Sequence, residues 1–310
     1  MTNILITSAA NKVPLIECFK KLLGFSAKIF IADCADNNIA KYFADQFIKV
    51  VPLKDSVIED YILLCRKYQI KYIIPTREED LLFFSLYRDR LEIQGVYVLV
   101  SSVEAIRITN DKLKFYKVLN AENLPVIPTF LTTEQFHEKT RLVVKERFGA
   151  GSKKIFVNLD KEQAVQVSYQ LENPIVQPYI VGKEYSVDVY ITRKKQVKAV
   201  VVRERQLIVD GESQITKVLD HPSISGLISK AALLLGLEGH VMFQVFEDEH
   251  EMLWIIECNA RIGGASTLSM YAGLDSINWW ISECGGKNVA ESPVVIKKIK
   301  QVRYKKDLLL

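Results

Sequence analysis

Short apolar runs alternate with amphipathic stretches through the first hundred residues, and no other feature of the chain restricts its fold more. Asn3–Thr7, Lys28–Ala32, Tyr72–Pro75 and Val96–Val100 read as strands of about five residues, while Val13–Leu23, Ile58–Tyr68 and Leu81–Leu91 carry helical periodicity. Strands separated by helices close into right-handed β-α-β units and a parallel sheet. In such sheets ligands collect at the carboxyl ends of the strands. Two of those ends are polar here, Ser8-Ala9-Ala10-Asn11-Lys12 and Thr76-Arg77-Glu78-Glu79-Asp80.

From about Asn110 the pattern changes. Asp111–Asn123 reads as a helix stopped by Leu124-Pro125, with Thr109 or Asn110 as its cap and Asp111 in its first turn. Strand-like segments follow at Leu142–Lys145, Lys154–Val157, Ile175–Tyr179, Tyr185–Ile191, Val197–Glu204, Val241–Phe246 and Leu253–Cys258. Helices are expected at Lys161–Leu171, at Ser223–Leu235 and from about Thr267, and Val294–Tyr304 alternates enough for a last strand. No internal repeat is visible.

Composition excludes several classes. With 49% hydrophobic and 25% charged residues the chain is of ordinary globular type. A net charge of +4 over 310 residues gives no electrostatic case for nucleic acid. No apolar run approaches the 18 or so residues of a membrane helix, and MTNILITSAANK turns polar too early for a signal peptide. A cytoplasmic location is expected. Cys18, Cys34, Cys65, Cys258 and Cys284 are scattered and read as reduced thiols, and the four histidines show no zinc spacing.

Four segments carry candidate chemistry. In the apolar strand Leu253–Cys258, alternation places Ile255, Glu257, Asn259 and Arg261 on one face. Centring the hairpin near residue 250 sets Gln244 opposite Glu257, with Cβ atoms about 5 Å apart. Three oxygen-bearing side chains then converge as hard ligands for Mg²⁺, with Arg261 beside them for a phosphate oxygen. A polar strand end facing water has the same pattern. Second, Lys145 ends a strand before Gly149-Ala150-Gly151-Ser152. Backbone amides in that loop can line up on phosphates, although a plain glycine hairpin reads the same way. Third, Gln177-Pro178-Tyr179-Ile180 leads to Glu184, a connector able to face an adenine edge and a carboxylate able to take ribose hydroxyls, or an ordinary link between strands. Fourth, Lys112 is a cation at a helix N-terminus. It is unfavourable there unless a polyphosphate lies nearby, and otherwise it is a tolerated surface lysine. Neither a Walker pattern nor G-x-G-x-x-G occurs, which argues against a P-loop and a Rossmann oxidoreductase.

In this order and spacing the four segments resemble the ATP-grasp superfamily, and in particular its carbamoyl-phosphate-synthetase-like single-core members. The resemblance rests on Asp111-Lys112-Leu113-Lys114-Phe115-Tyr116, on Lys145 with its glycine loop, on Gln177 through Glu184, and on Gln244 with Glu257-Cys258-Asn259-Ala260-Arg261. It implies an α/β and α+β protein with an N-terminal parallel-sheet (pre-ATP-grasp) domain at 1–109. An ATP-grasp fold of two α+β subdomains would follow, a lid at 110–179 and a metal-bearing unit at 180–310. It also implies ATP and one or two Mg²⁺ ions, with Mn²⁺ as a substitute.

By position, Lys112 and Lys145 would hold phosphates and Gly149, Gly151 and Ser152 would close over them. Gln177, Tyr179 and Ile180 would face adenine, and Glu184 the ribose. Gln244, Glu257 and Asn259 would bind metal. Arg261 would stabilise the transferring phosphoryl group or the acyl phosphate, and Arg203 or Arg205 would lie near the reaction centre and contact a carboxylate or phosphate, or else form a solvated charge cluster. The amides of Gly263-Gly264-Ala265-Ser266-Thr267 would suit an anionic acceptor group, or the segment is a simple loop. The implied chemistry is an ADP-forming ligase that activates a carboxylate as an acyl phosphate and joins it to an amine or thiol. The alternative is a non-catalytic ATP-binding sensor or scaffold. Small-molecule substrates and a homodimer accord with the family, whereas two-core carbamoyl phosphate synthesis does not suit this length. Two departures stand out: Glu146 where a proline often follows the strand lysine, and Lys154 where many relatives keep another lid glycine, a change that would stiffen the lid.

Overall fold

The computed structural model describes residues 2–149, 154–209 and 211–309. The N-terminal sheet contains β1 (Thr2–Thr7), β2 (Ala27–Asp33), β3 (Gln46–Lys49), β4 (Ile70–Pro75) and β5 (Tyr97–Val98), all parallel in the order β3-β2-β1-β4-β5. Its helices are α1 (Val13–Leu23), α2 (Ile58–Tyr68), α3 (Glu78–Leu86) and α4 (Arg88–Ile93). The expected helix Leu81–Leu91 is thus two helices, broken at Tyr87 (φ −108°, ψ 11°). The strand order reverses between β1 and β4, so the crevice at their carboxyl ends is a topological switch point. Ser8–Lys12 and Thr76–Glu78 flank it.

Two short helices connect onward, α5 (Val103–Thr109) and α6 (Lys112–Ala121). Asp111 itself caps α6, accepting from the Leu113 and Lys114 amides at 3.0 and 3.1 Å, so neither Thr109 nor Asn110 is the cap. A small antiparallel sheet follows, with β6 (Leu142–Glu146) between β7 (Phe156–Leu159) and β8 (Pro174–Pro178) and backed by α7 (Lys161–Ser168). β7 starts two residues later than expected because Lys154 takes a left-handed conformation (φ 54°).

The largest sheet is antiparallel in the order β13-β12-β9-β10-β11-β14, built from β9 (Gly182–Ile191), β10 (Val197–Val209), β11 (Glu212–Leu219), β12 (Gly239–Asp248), β13 (Leu253–Asn259) and β14 (Lys300–Val302). β11 had no counterpart in the sequence reading, although ESQITKVL alternates well enough for a strand. Of the expected strand 294–304 only three residues pair. Helix α8 (Pro222–Leu234) packs on one face, burying Ile224, Ile228, Ala231 and Ala232 against Val187, Val189, Val241 and Phe243. Each of the larger side chains there (Ile, Val and Phe) stabilises the fold by roughly 1.5–3 kcal/mol. The other face is polar in its middle. Gln244 pairs with Ser186, Ser186 with Arg203, Arg205 with Thr216, and Thr216 with Gln301. Helices α9 (Ser266–Ala272) and α10 (Ser276–Cys284) complete the chain's second apolar core, with α1.

The two large sheets are tied by charge. Arg88 reaches Glu238 at 2.6 Å, Arg193 reaches Glu92 at 2.9 Å, and the Ser101 hydroxyl exchanges hydrogen bonds with the Glu238 backbone. The small sheet is held by residues 125–130, which run beside Ile255 and then bridge Val176.

Gly182 opens β9 where two strands approach closely. A Cβ there would lie 2.0 Å from the Glu247 carbonyl oxygen. Gly182→Ala is therefore expected to destabilise the protein by about 1–3 kcal/mol through overpacking. Thermal unfolding checks this, and an unchanged midpoint would show that the β9–β12 pair yields freely.

Candidate active site

Between the small and large sheets lies a cavity of about 420 Å³. Its lining combines apolar side chains (Ile127, Val143, Ile155, Val157, Phe246, Ile256) with the polar and charged Lys112, Lys145, Glu184, Arg205, Gln244 and Glu257. A cavity that brings apolar walls and charged groups together suits a ligand with one apolar ring and one ionic tail.

The hairpin register sets Gln244 opposite Glu257, as its spacing implied. The alternation on β13 is different from the expected one. A bulge leaves Ile256 as an extra residue, because Gln244 pairs with Glu257 but Val245 with Ile255. Ile255 therefore turns into the core with Cys258, and Ile256 joins Glu257 in lining the cavity. With its amide oriented to satisfy both neighbours, Gln244 donates to Glu257 Oε1 at 2.8 Å and accepts from Arg205 Nη1 at 2.9 Å. Asn259 Nδ2 lies 3.4 Å from the same carboxylate oxygen, and its Oδ1 accepts from Arg261 Nη2 at 3.2 Å. Arg261 also meets Glu78 at 3.4 Å, from the switch-point crevice. Burial pushes the Glu78 carboxyl up; Arg261 opposes this and Glu257 adds to it.

Lys145 comes from the end of β6, and its side chain is 7% exposed. Among the described residues no group accepts a hydrogen bond from its ammonium. Burial pulls its pKa down from 10.5 to about 8, Glu257 and Glu184 counteract, and Lys112 adds to the fall. Lys112 donates to the Gly149 carbonyl at 2.8 Å. Gly149, with φ +90°, begins the glycine loop, whose Gly151 and Ser152 lie outside the described residues.

Two anchors were not visible in the sequence. Arg147 grips Asp111 with two charge-assisted bonds, 2.7 Å from Nε and 2.5 Å from Nη2, and so ties the root of the loop to the start of α6. A separation of 36 residues leaves no local signal for that pair. Glu146, where a proline was the commoner choice, accepts the Glu172 and Asn173 amides at 2.9 and 3.0 Å and fixes the neighbouring turn.

At the hinge, Gln177 is buried and donates to Thr129 Oγ1 at 2.8 Å, so its amide braces the connector. The Tyr179 N–H is taken by the Arg141 carbonyl at 2.8 Å, whereas the Ile180 amide has no partner among the described residues. Glu184 forms an ion pair with Arg205; burial raises its pKa and Arg205 opposes. Arg205 also holds Ser213 Oγ (2.7 Å) and the Gly211 carbonyl (2.6 Å).

Arg203 is placed differently from Arg205. It is 1% exposed and donates to Asp188 at 2.7 Å. Asp188 also takes hydrogen bonds from His240, Ser266 and Ser269. Burial pushes its carboxyl up, but Arg203 and the His240 and Ser266 bonds outweigh this and hold it well below the usual range. The cluster pins the 263–266 loop to the sheet floor. The five cysteines are unpaired, and four of them are buried.

Among the described residues no three His, Cys, Asp or Glu side chains form a metal cluster, and no helix is long and apolar enough to cross a membrane. The donor set near Glu257 is one carboxylate and two amides. That composition suits a cation which keeps most of its ligands from phosphate and water, the usual arrangement for Mg²⁺.

Comparison with known proteins agrees with this architecture. Residues 170–308 match the family described as "ATP-grasp in the biosynthetic pathway with Ter operon", and residues 4–99 match the "PylC-like, N-terminal domain". Residues 170–308 thus carry an ATP-grasp domain, preceded by a PylC-like one. A carbamoyl-phosphate synthase from Methanobrevibacter smithii is 23% identical over 218 residues, 64% of this chain; the match spans 59% of that relative's length. Among solved structures, the ATP-grasp fold here is similar to the biotin carboxylase domain of Hydrogenobacter thermophilus 2-oxoglutarate carboxylase, in complex with MgADP, ADP and bicarbonate. That match has a TM-score of 0.73 and 17% identity, covering 95% of this chain and 72% of the other. It is also similar to an L-amino acid ligase from Bacillus licheniformis, with a TM-score of 0.63 and 20% identity over 88% of this chain and 70% of that one.

Proposed function

We propose that this ATP-grasp protein is an ATP- and Mg²⁺-dependent, ADP-forming ligase that activates a carboxylate and joins it to an amine. One observation carries the reading. A cavity lined partly by apolar side chains also holds a carboxylate, Glu257, flanked by two amides and near two lysines, one of which, Lys145, is largely buried and has no hydrogen-bond acceptor among the described residues. A buried unpaired ammonium is costly, and an anionic ligand compensates it. The solved relatives that hold MgADP or ligate amino acids support the same class.

In this reading the base occupies the slot against Ile256 and Phe246, with its edge at Ile180 and its ribose at Glu184. Lys112 and Lys145 hold the phosphates, and the loop from Gly149 through Gly151 and Ser152 covers them. Gln244, Glu257 and Asn259 hold Mg²⁺, for which Mn²⁺ can substitute, and the metal supplies charge neutralisation at the transferring phosphoryl group. Both amides now turn N–H toward Glu257, so holding a cation requires them to present their oxygens instead. Arg261 steadies the phosphoryl oxygens. A carboxylate oxygen attacks the γ-phosphorus and ADP departs; the amine then attacks the acyl carbon and phosphate departs. Positioning and charge suffice for such transfer. Arg205 acts by orienting Glu184 and Gln244, and Arg203 by fixing the floor. The division into 1–109, 110–179 and 180–310 belongs to the same proposal, with the lid unit moving against the other two.

The test is an ADP-release screen of carboxylic acids with and without amines, the product identified by mass spectrometry. ADP formation that requires an acid supports the reading. Tight nucleotide binding with no turnover across the panel would overturn it in favour of a sensor or scaffold.

A further inference from the structure

Beyond the nucleotide slot, on the other side of Arg261, a second set of cations converges on the switch-point crevice. Lys12 follows β1 and is half-buried, within Coulombic reach of Arg261 and Arg303. Arg303, just past β14, is fixed by Nη2 on the Gly264 carbonyl at 2.5 Å and Nη1 on Glu212 at 3.2 Å. Three cations from three distant parts of the chain thus stand against two carboxylates, Glu78 and Glu212. Glu212 offsets part of the charge of Lys12 and Arg303, but it is 71% exposed and screened by water, and it leaves an excess of cations. Among the described residues no carboxylate pairs with Lys12. Two buried guanidinium nitrogens nearby, Arg261 Nε and Arg203 Nη1, have no hydrogen-bond acceptor among the described residues. Burial, then Arg261 and Arg303, pull the Lys12 pKa down, and burial does the same to Arg303 with Arg203 and Arg205 adding to it; Glu212 opposes in both cases without reversing the fall. Like charges gathered in a half-buried crevice are stabilised by an anion.

Resting on the ligase reading above, we infer that the acid activated here carries a second anionic group, a carboxylate or a phosphate. Lys12 and Arg303 bind that group while the reacting carboxylate lies at Arg261. The distal anion fixes the acid in register with the phosphoryl donor, so the crevice selects acids with a second anionic group over acids of similar length that lack it.

The experiment uses the full chain with MgATP and a fixed amine panel. Acids are compared in matched pairs: 2-aminobutyrate with aspartate, valerate with glutarate, and glycerate with phosphoglycerate. The dianionic member is expected to exceed its partner in kcat/KM by at least 30-fold, and the carboxylate and phosphate arms identify which anion is held. Lys12→Gln and Arg303→Gln should each raise KM for the acid at least tenfold while KM for ATP stays within twofold. Lys12 lies at the half-exposed rim, so K12Q decides the matter if the Arg303 variant fails to fold. Equal efficiency within the pairs, or an unchanged acid KM in K12Q, overturns the inference and leaves the ligase reading intact. No ADP release with any acid overturns both.

Discussion

Glu257→Ala is expected to lower ADP release by at least 10³-fold while leaving the protein folded. This carboxylate is the sole formal charge among the three proposed metal donors, and it lies where Lys145, Gln244 and Asn259 converge. Removing it leaves two neutral amides, too weak a set to hold Mg²⁺ against water. The transferring phosphoryl group then loses its principal neutralising charge, and three powers of ten correspond to about 4 kcal/mol of lost transition-state stabilisation. The fold should not suffer. Glu257 makes no ion pair within 4 Å among the described residues, and its charge pushes up the carboxyls of Glu78 and Glu184, both already raised by burial. Deleting that charge relieves the repulsion with Glu78 and Glu184 but withdraws a favourable partner from the Lys145 ammonium, so the two effects oppose and the melting temperature of the Glu257→Gln protein should change little. The second measurement is the Mg²⁺-dependent part of the thermal shift given by ATP, which this variant should lose because ligand stabilisation follows affinity. Turnover within tenfold of the parent would reject Glu257 as the metal ligand.

What the sequence made legible follows from the range of each interaction. The β-α-β alternation and the Gln244–Glu257 register are local patterns, so counting residues sufficed. The bulge at Ile256 was invisible because it depends on how β12 is pulled by both β9 and β13. It reversed the expected direction of Ile255. The Asp111–Arg147 anchor and the Asp188 hub join residues many positions apart, and nothing in either local stretch announces the partner. Arg203 and Arg205 illustrate the limit best. Two residues apart on one strand they look alike, yet one is buried against Asp188 and the other bridges Glu184 and Gln244 at the cavity. Strand β11, whose register with β10 and β14 frames the second crevice, was hidden because its first residues read as a polar loop. The cation set there is accordingly a property of the assembled sheets, whereas the nucleotide-facing motifs are properties of short segments.

Lys145→Met is expected to act in opposite directions on stability and on function. A buried ammonium whose pKa falls from 10.5 to about 8 disfavours the folded state at neutral pH by about 3 kcal/mol, since each unit is 1.36 kcal/mol. Methionine fills similar volume without a charge, so the melting temperature at pH 7 should rise by several degrees. Function should fall: without a cation at this end of the cavity, kcat/KM for ATP is expected to drop 10²-fold or more. The pH dependence gives an independent check. Because the folded pKa lies below the unfolded one, the native state binds fewer protons between pH 8 and 10.5. This site's contribution to stability therefore rises with pH across that window, and the penalty is full below it. ATP affinity of the unsubstituted protein should move the other way, weakening above about pH 8 as the ammonium loses its proton. Both slopes should vanish in Lys145→Met. A variant that melts lower than the parent, or one that keeps the alkaline loss of ATP affinity, would show that the Lys145 ammonium is compensated within the protein and is not the group that meets the phosphates.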